Sequence, residues 1–436
     1  MLTKEKHIIF KREFMYNAFN FEGLKIDQEL LERTNPIFNT ARMTLFQLAA
    51  AGHDDAKAVA ERLNLTRKDT QDSKTVKADD DDLFINSIIM EVRYFTNGKL
   101  AKESGFTVVD LPCGFTPRAL EFAKSGNKFV GMDLPATINE VQPTIMSLLD
   151  DDQKKLVNFE GVDATNYQSL KSAFDKIDGK VCITTEGLLM YLTDFELDAL
   201  CDNIKKILAE HGGCWITLDP EISRLYVLIV KAFYGERTRD IMYTSKYRVE
   251  DKSDATIVQN AITVSSLGDV QENMRNAMNY ITSKGLKLEK IPYADHVSEF
   301  KSLENADPKI VAQIKEGLKQ VYIWKITVDE SVNVDTDAKT ESFNADASVN
   351  GDKLNLILSG NLDTLSAPKL LANYEKIKED NAIRSVFIDC SKLEYVSSAG
   401  LRVLLIMQND CKGGITMKSC NETVIEILSD TDIKIK

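Results

Sequence analysis

Four acidic residues recur where apolar runs stop. Asp110 closes TVVD and Asp133 closes FVGMD, while Asp163 follows LVNFEGV and Glu186 follows KVCITT. Carboxylates in such places accept hydrogen bonds from hydroxyl and amide donors and attract cations. Asp110 and Asp133 lie 23 residues apart (133 − 110), one strand–helix–strand step. An acid ending the second strand of such a step is the ribose ligand of nucleotide-type sites, because one carboxylate can take both ribose hydroxyls. The turn after the first strand, Asp110-Leu-Pro-Cys-Gly-Phe-Thr-Pro-Arg118, holds one glycine, Gly114, and two prolines. A pyrophosphate-binding turn instead carries GxGxxG, so that the backbone can approach the ligand. An acid at the strand end would also repel a pyrophosphate. The pattern fits a nucleoside whose other end is cationic.

Elements must hold these acids on one rim. From Phe106 onward, short apolar runs alternate with helical segments: TVVDL, PRALEFAKSG, KFVGMDL, IMSLLDDDQKKL, LVNFEGVD, YQSLKSAFDKI, KVCITTEGL, FELDALCDNIKKILAEHGG and CWITLDPE. This alternation predicts an α/β fold with a doubly wound, mostly parallel sheet and helices on both faces. Ligands of such sheets bind beyond the carboxyl ends of the strands, where the four acids fall. Upstream, the apolar spacing of EGLKIDQELLERTNPIFNTARMTLFQLAAAGHDDAKAVAERLN predicts helices, broken at Pro36 and Gly52. Asp79 to Asp82 lack the alternating spacing of a calcium loop and read as first-turn charges of the helix LFINSIIMEVRYF.

VVDLPCGFTPRAL, FVGMDLP, EGVDATN and TEGLLMYL, in that order, resemble the successive motifs of class I S-adenosylmethionine-dependent methyltransferases. TEGLLMYL and the helical N-terminal extension narrow the resemblance to the leucine carboxyl methyltransferase family, which includes O-methyltransferases of small-molecule metabolism. It covers roughly residues 20 to 328. The resemblance implies S-adenosylmethionine as cofactor and a Rossmann-like domain over residues 1–328, residues 1–100 being a helical lid. It implies that Asp110 belongs to the cofactor site and that Gly114 lets the first turn pass close to the methionine moiety. Asp133 would bind the ribose hydroxyls with Leu134 against the adenine, and Asp163 with the backbone of Ala164 would bind the adenine edge. Glu186 would sit by the methionine amino group, and Arg93, in EVRYF, would pair with the cofactor carboxylate. Pro112 stands where the common pattern has its first loop glycine.

The implied reaction is O-methylation of a carboxylate or hydroxyl on a small molecule or protein. A carboxylate acceptor needs no base, whereas a hydroxyl acceptor does. His296, in YADHVSEF, is the candidate base; His211, in an HGG turn, reads as structural. The segment from Ile222 to Glu250, with Tyr226, Tyr234, Arg237, Arg239, Tyr243, Tyr247 and Arg248, reads as an irregular insert walling the acceptor pocket. A non-catalytic protein that senses the cofactor is the alternative.

The chain divides at a polar, acidic stretch, read as a linker over residues 329–343. Beyond it, residues 344–436 resemble the STAS domain of anti-sigma-factor antagonists, through GNLDTLSAPKL and SVFIDCSKLEYVSSAGLRVLL. The resemblance implies a regulatory or interaction module with a kinase or anti-sigma-type partner, and Ser398 as its phosphorylation site. A phosphate there would meet favourable N–H groups at a helix start and repulsion from Asp363 and Asp389, both read as strand-end acids.

Composition bounds the rest. A chain of 436 residues is too long for one ordinary core. A net charge of −13 opposes binding to nucleic acid or an anionic membrane. No run is long enough to span a bilayer, and no leader is legible at the N-terminus, so a cytoplasmic protein is the expectation. The seven cysteines form no CxxC and, with four scattered histidines, build no metal site.

Overall fold

The structure, a computed structural model, describes residues 17–18, 28–34, 38–66, 80–238, 260–262, 270–295, 300–329, 343–429 and 431–436. Their strands are β1 (Asn17–Ala18), β2 (Thr107–Asp110), β3 (Phe129–Asp133), β4 (Val157–Gly161), β5 (Val181–Thr185), β6 (Gly213–Thr217), β7 (Leu286–Pro292), β8 (Tyr322–Val328), β9 (Asn344–Asn350), β10 (Lys353–Leu362), β11 (Ser385–Val396), β12 (Ile415–Lys418) and β13 (Lys434–Ile435). They divide between two compact units, residues 31–339 and residues 1–30 with 340–436.

The larger unit is Rossmann-like. Its sheet runs β4-β3-β2-β5-β6-β8-β7. The first five strands are parallel, and β8 pairs antiparallel with both β6 and β7. From β2 the chain winds outward through β3 and β4, then returns to lay β5 on β2's other side. The order therefore reverses between β2 and β5, which opens a crevice at their carboxyl ends. Strands covered on both faces must be apolar throughout, and β3 and β5 are buried at every residue. Two cores result, one on each face. Phe115, Phe122 and Phe129 lie in one, and Ile183, Trp215 and Trp324 in the other. Burying one such side chain contributes about 1.5–3 kcal/mol.

The helical extension includes Phe38–Ala51, Asp54–Arg62 and Asp80–Glu103. Asp80 to Asp82 open the last of these; Asp79 lies outside the described residues. Ile85, Ile88, Ile89 and Val92 face the core, whereas Arg93, Thr96 and Asn97 are buried polar groups of the same helix. Two expectations change. Residues Ile222–Tyr234 form a regular helix, not an irregular insert, with Leu225, Ile229 and Val230 in the core. The extension's beginning belongs elsewhere: β1 pairs antiparallel with β9, and Leu30 enters the smaller unit's core. β1 covers the edge of β9 at Asp346 and Ala347.

The smaller unit is an α/β sheet of order β1-β9-β10-β11-β12-β13. Its core includes Leu354, Leu356 and Leu358 from β10, packed with Leu370, Tyr374, Val403 and Leu404 from helices Ala367–Asp380 and Ser398–Asp410. Residues 330–342, where the acidic linker is read, lie outside the described set. No described helix is long and apolar enough to cross a membrane.

Candidate functional site

The turn after β2 and the end of β3 are joined by one carboxylate. Asp133 Oδ2 accepts from the Gly114 amide at 2.8 Å, and Oδ1 accepts from the Leu134 amide at 2.7 Å. Burial pushes this carboxyl up to about 6, with the two amides and the nearby Thr137 hydroxyl pulling against it. Two of about four acceptor positions are therefore taken by amides. Gly114 has φ of +52°, a left-handed conformation that suits glycine. A Cβ there would lie 3.5 Å from Cβ of Ala41, so the Phe38–Ala51 helix covers the turn. The next residue, Arg42, fastens it by pairing with Glu140 at 2.6 Å and lying 5.0 Å over the Phe115 ring.

Beside this turn lies a buried ionic cluster. Arg118 donates Nη1 to both oxygens of Asp110, at 2.9 and 2.8 Å. Its Nη2 reaches Glu186 Oε2 at 2.7 Å and the Tyr94 carbonyl at 3.1 Å. Thr184 donates to Asp110 at 2.7 Å, and Asn97 to Glu186 at 3.3 Å. Arg93 stands 3.9 Å from Glu186 and 3.6 Å from Asp219. Asp219 in turn accepts from the amides of Gly187, Leu188 and Leu189 at 2.8–2.9 Å. Gly187, at φ +70°, is where a Cβ would come 3.0 Å from Arg93 Nη2. Two guanidinium groups against Asp110, Glu186 and Asp219 leave a net of −1, and Asp133 adds another negative group when ionised. Burial alone would raise the Glu186 carboxyl, but Arg118 and Arg93 outweigh it and hold it below its usual range. Burial raises Asp110 against the pull of Arg118 and Thr184.

Most of the residues named from sequence meet here. Asp110, Gly114, Asp133, Glu186 and Arg93 share this rim. Leu134 is half-buried at the start of the Pro135–Met146 helix. Asp163 lies two residues past β4 and accepts from the Thr165 amide and hydroxyl at 2.8 and 2.7 Å, while the Ala164 carbonyl accepts from Asn203. Asp110, however, is fully engaged by Arg118 and Thr184, so it acts by holding Arg118. His296, Arg239, Tyr243, Tyr247 and Arg248 lie outside the described residues. Tyr226 and Tyr234 pack against the core and Arg237 is exposed. His211 ends the Asp194–His211 helix against the Phe174 ring. Arg118, Asn97 and Asp219 were not anticipated. Arg118 did carry a signal, since a cation in a helix's first turn opposes the dipole and needs a specific partner. Asp219, in TLDPE, is a fifth acid after a strand. Among the described residues no His, Cys, Asp and Glu group could hold a metal, and all seven cysteines are free.

In the smaller unit Ser397 caps the Ser398–Asp410 helix, its hydroxyl accepting from the Gly400 amide at 3.1 Å. Ser398 is the first helical residue and half-exposed. Asp363 adjoins it, because Leu362 pairs with Val396 and accepts from the Ser397 amide. Asp389 does not. β11 continues to Val396, seven residues past Asp389, or roughly 23 Å along an extended strand. Its carboxylate pairs instead with Lys418 at 2.9 Å, which holds it below its ordinary value.

Residues 344–435 match the family model of the STAS domain and form one. Solved structures resembling the N-terminal region include human N-acetylserotonin methyltransferase in complex with S-adenosylmethionine, at 12% identity and TM-score 0.30, covering 62% of this chain and 56% of that one. Another is the S-adenosylmethionine-dependent methyltransferase SibL in its apo form, at 10% identity and TM-score 0.30, covering 57% of this chain and 69% of that one. This chain thus spans little more than half the length of the first. A search of curated proteins gave no match.

Proposed function

We propose that the larger unit binds S-adenosylmethionine on this rim and passes its methyl group to an oxygen, and that the STAS domain regulates the protein or recruits a partner. The observation that carries the reading is the buried cluster of net charge −1 beside Asp133. It combines a carboxylate ending the second strand with two buried guanidinium groups and Glu186. A sulfonium nucleoside with an amino-acid tail has complementary groups. The residues fit this cofactor at atoms the fold leaves open. Arg93 Nε and Asn97 Oδ1 are buried with no hydrogen-bond partner among the described residues. In this reading Arg93 takes the cofactor's carboxylate, Glu186 and Asn97 Oδ1 take its ammonium, and Asp133 takes the ribose. Leu134 packs on the adenine, and Asp163 with Ala164 meets its edge.

The bound cofactor supplies an activated methyl carbon, and the protein supplies position and charge. Arg118 fixes Glu186 through a bond to the same oxygen that Asn97 reaches. The Phe38–Ala51 helix covers the Gly114 turn and excludes water from it. Resemblance to the leucine carboxyl methyltransferase family favours a carboxylate acceptor, on a small molecule or a protein, for which no base is required. The test pairs calorimetry of S-adenosylhomocysteine with transfer of labelled methyl groups to a panel of carboxylic acids and phenols. Binding without transfer to any acceptor favours the sensing role; no binding to the wild-type protein overturns both readings.

A further inference from the structure

Tyr293 follows β7, and the sheet register fixes its level. Lys290 pairs with Trp324, which pairs with Thr217, the last residue of β6. Tyr293 is three residues further on, its amide bonded to the Val321 carbonyl at 3.0 Å. It therefore leaves the sheet at the rim that carries Glu186 and Asp219. The ring is fully buried, and its hydroxyl has no hydrogen-bond partner among the described residues. Arg93, Glu186, Glu221 and Asp219 are the charged groups that act on it. Buried tyrosines ordinarily find a partner for the hydroxyl, and phenylalanine would fill the same space without that cost. Burial pushes this phenol well above its ordinary value, so it is a proton donor and not a base.

Resting on the cofactor reading above, we infer that Tyr293 is a further binding residue, whose hydroxyl joins Arg93 Nε in donating to the cofactor's α-carboxylate. Two buried donors without a hydrogen-bond partner among the described residues, Arg93 Nε and the Tyr293 hydroxyl, suit an anionic acceptor with two oxygens. The α-carboxylate is the only anionic group that S-adenosylmethionine carries. Tyr293 thereby links the antiparallel edge of the sheet to recognition of the amino-acid tail.

The test uses full-length protein and two probes, S-adenosylhomocysteine and 5′-methylthioadenosine, which keeps the nucleoside but lacks the amino-acid end. Tyr293→Phe should weaken S-adenosylhomocysteine binding by about tenfold or more. It should leave methylthioadenosine affinity within about twofold. The ligand-free Tm should hold or rise, since the variant removes only an unpaired oxygen. Equal losses for both probes, a lower Tm, or unchanged S-adenosylhomocysteine affinity would each overturn the inference. If wild-type protein binds methylthioadenosine and S-adenosylhomocysteine equally well, the cofactor reading survives and this inference fails. If it binds neither, the cofactor reading itself fails.

Discussion

Cofactor affinity should weaken as pH falls through the titration of Asp133. In the free protein this carboxyl sits at about 6. A ribose hydroxyl donated to it favours the ionised form. A hydrogen bond to a charged group is worth about 1.5–3 kcal/mol, so the bound-state value drops by one to two units, to about 4.5. The sign follows: binding releases a proton below pH 6, so affinity falls as pH falls. With those two values the Kd should rise about fourfold between about pH 8 and about pH 5.5. Going lower is unwise, because the chain's pI is near 5.0 and solubility is poorest there. S-adenosylhomocysteine suits calorimetry here, since its own groups do not titrate in this window. Asp133→Asn should bind about tenfold more weakly at pH 8 and show no slope. A flat profile for the wild type, or the same slope in the variant, would remove Asp133 from the ligand.

Arg118→Met leaves Asp110 and Glu186 buried without their partner and should destabilise the protein by about 3–5 kcal/mol, read by urea unfolding; a loss below about 1 kcal/mol would show the cluster to be dispensable. Arg42→Ala removes the Glu140 pair and the contact over Phe115, and should weaken S-adenosylhomocysteine binding several-fold with little change in global stability, seen by calorimetry and thermal melting. Ser398→Asp should change the set of proteins recovered in a pull-down while leaving cofactor affinity within about twofold; identical recovery leaves Ser398 without a switching role. Proteolysis near Thr336, in the acidic stretch, should yield a C-terminal piece that keeps its circular dichroism; an unfolded piece would refute an independent domain.

The acids at the rim were legible because parallel strands covered on both faces must be uninterrupted apolar runs, so the residue that ends each run stands out. Chain order then sufficed to put Asp110, Asp133 and Glu186 on one edge. What escaped was pairing across distance. Arg118 meets Glu186 from 68 residues away, and Tyr293 reaches Arg93's neighbourhood only because β7 runs antiparallel on the far side of β8. The helix Ile222–Tyr234 was masked by its β-branched and aromatic residues, which carry modest helix propensity and here follow the packing. Asp389 reads as a strand-end acid, yet β11 continues past it through two register shifts against β10. Nothing in the dipeptide Asn17–Ala18 announces a strand; it becomes one by lying along β9.

The pairing of β1 with β9 sets an order of events during synthesis. Asn17 must wait for Ala347, 330 residues later (347 − 17). At roughly 5–20 residues per second, that is on the order of half a minute after Asn17 itself is made. In that interval the larger unit's residues are complete and free to fold, while Asn17 and Ala18 still lack their partner strand. The larger unit is thus, in topology, an insertion within the smaller one. A STAS fragment made without the N-terminal segment would lose the cover of β9 at Asp346 and Ala347, and its self-association should grow with concentration.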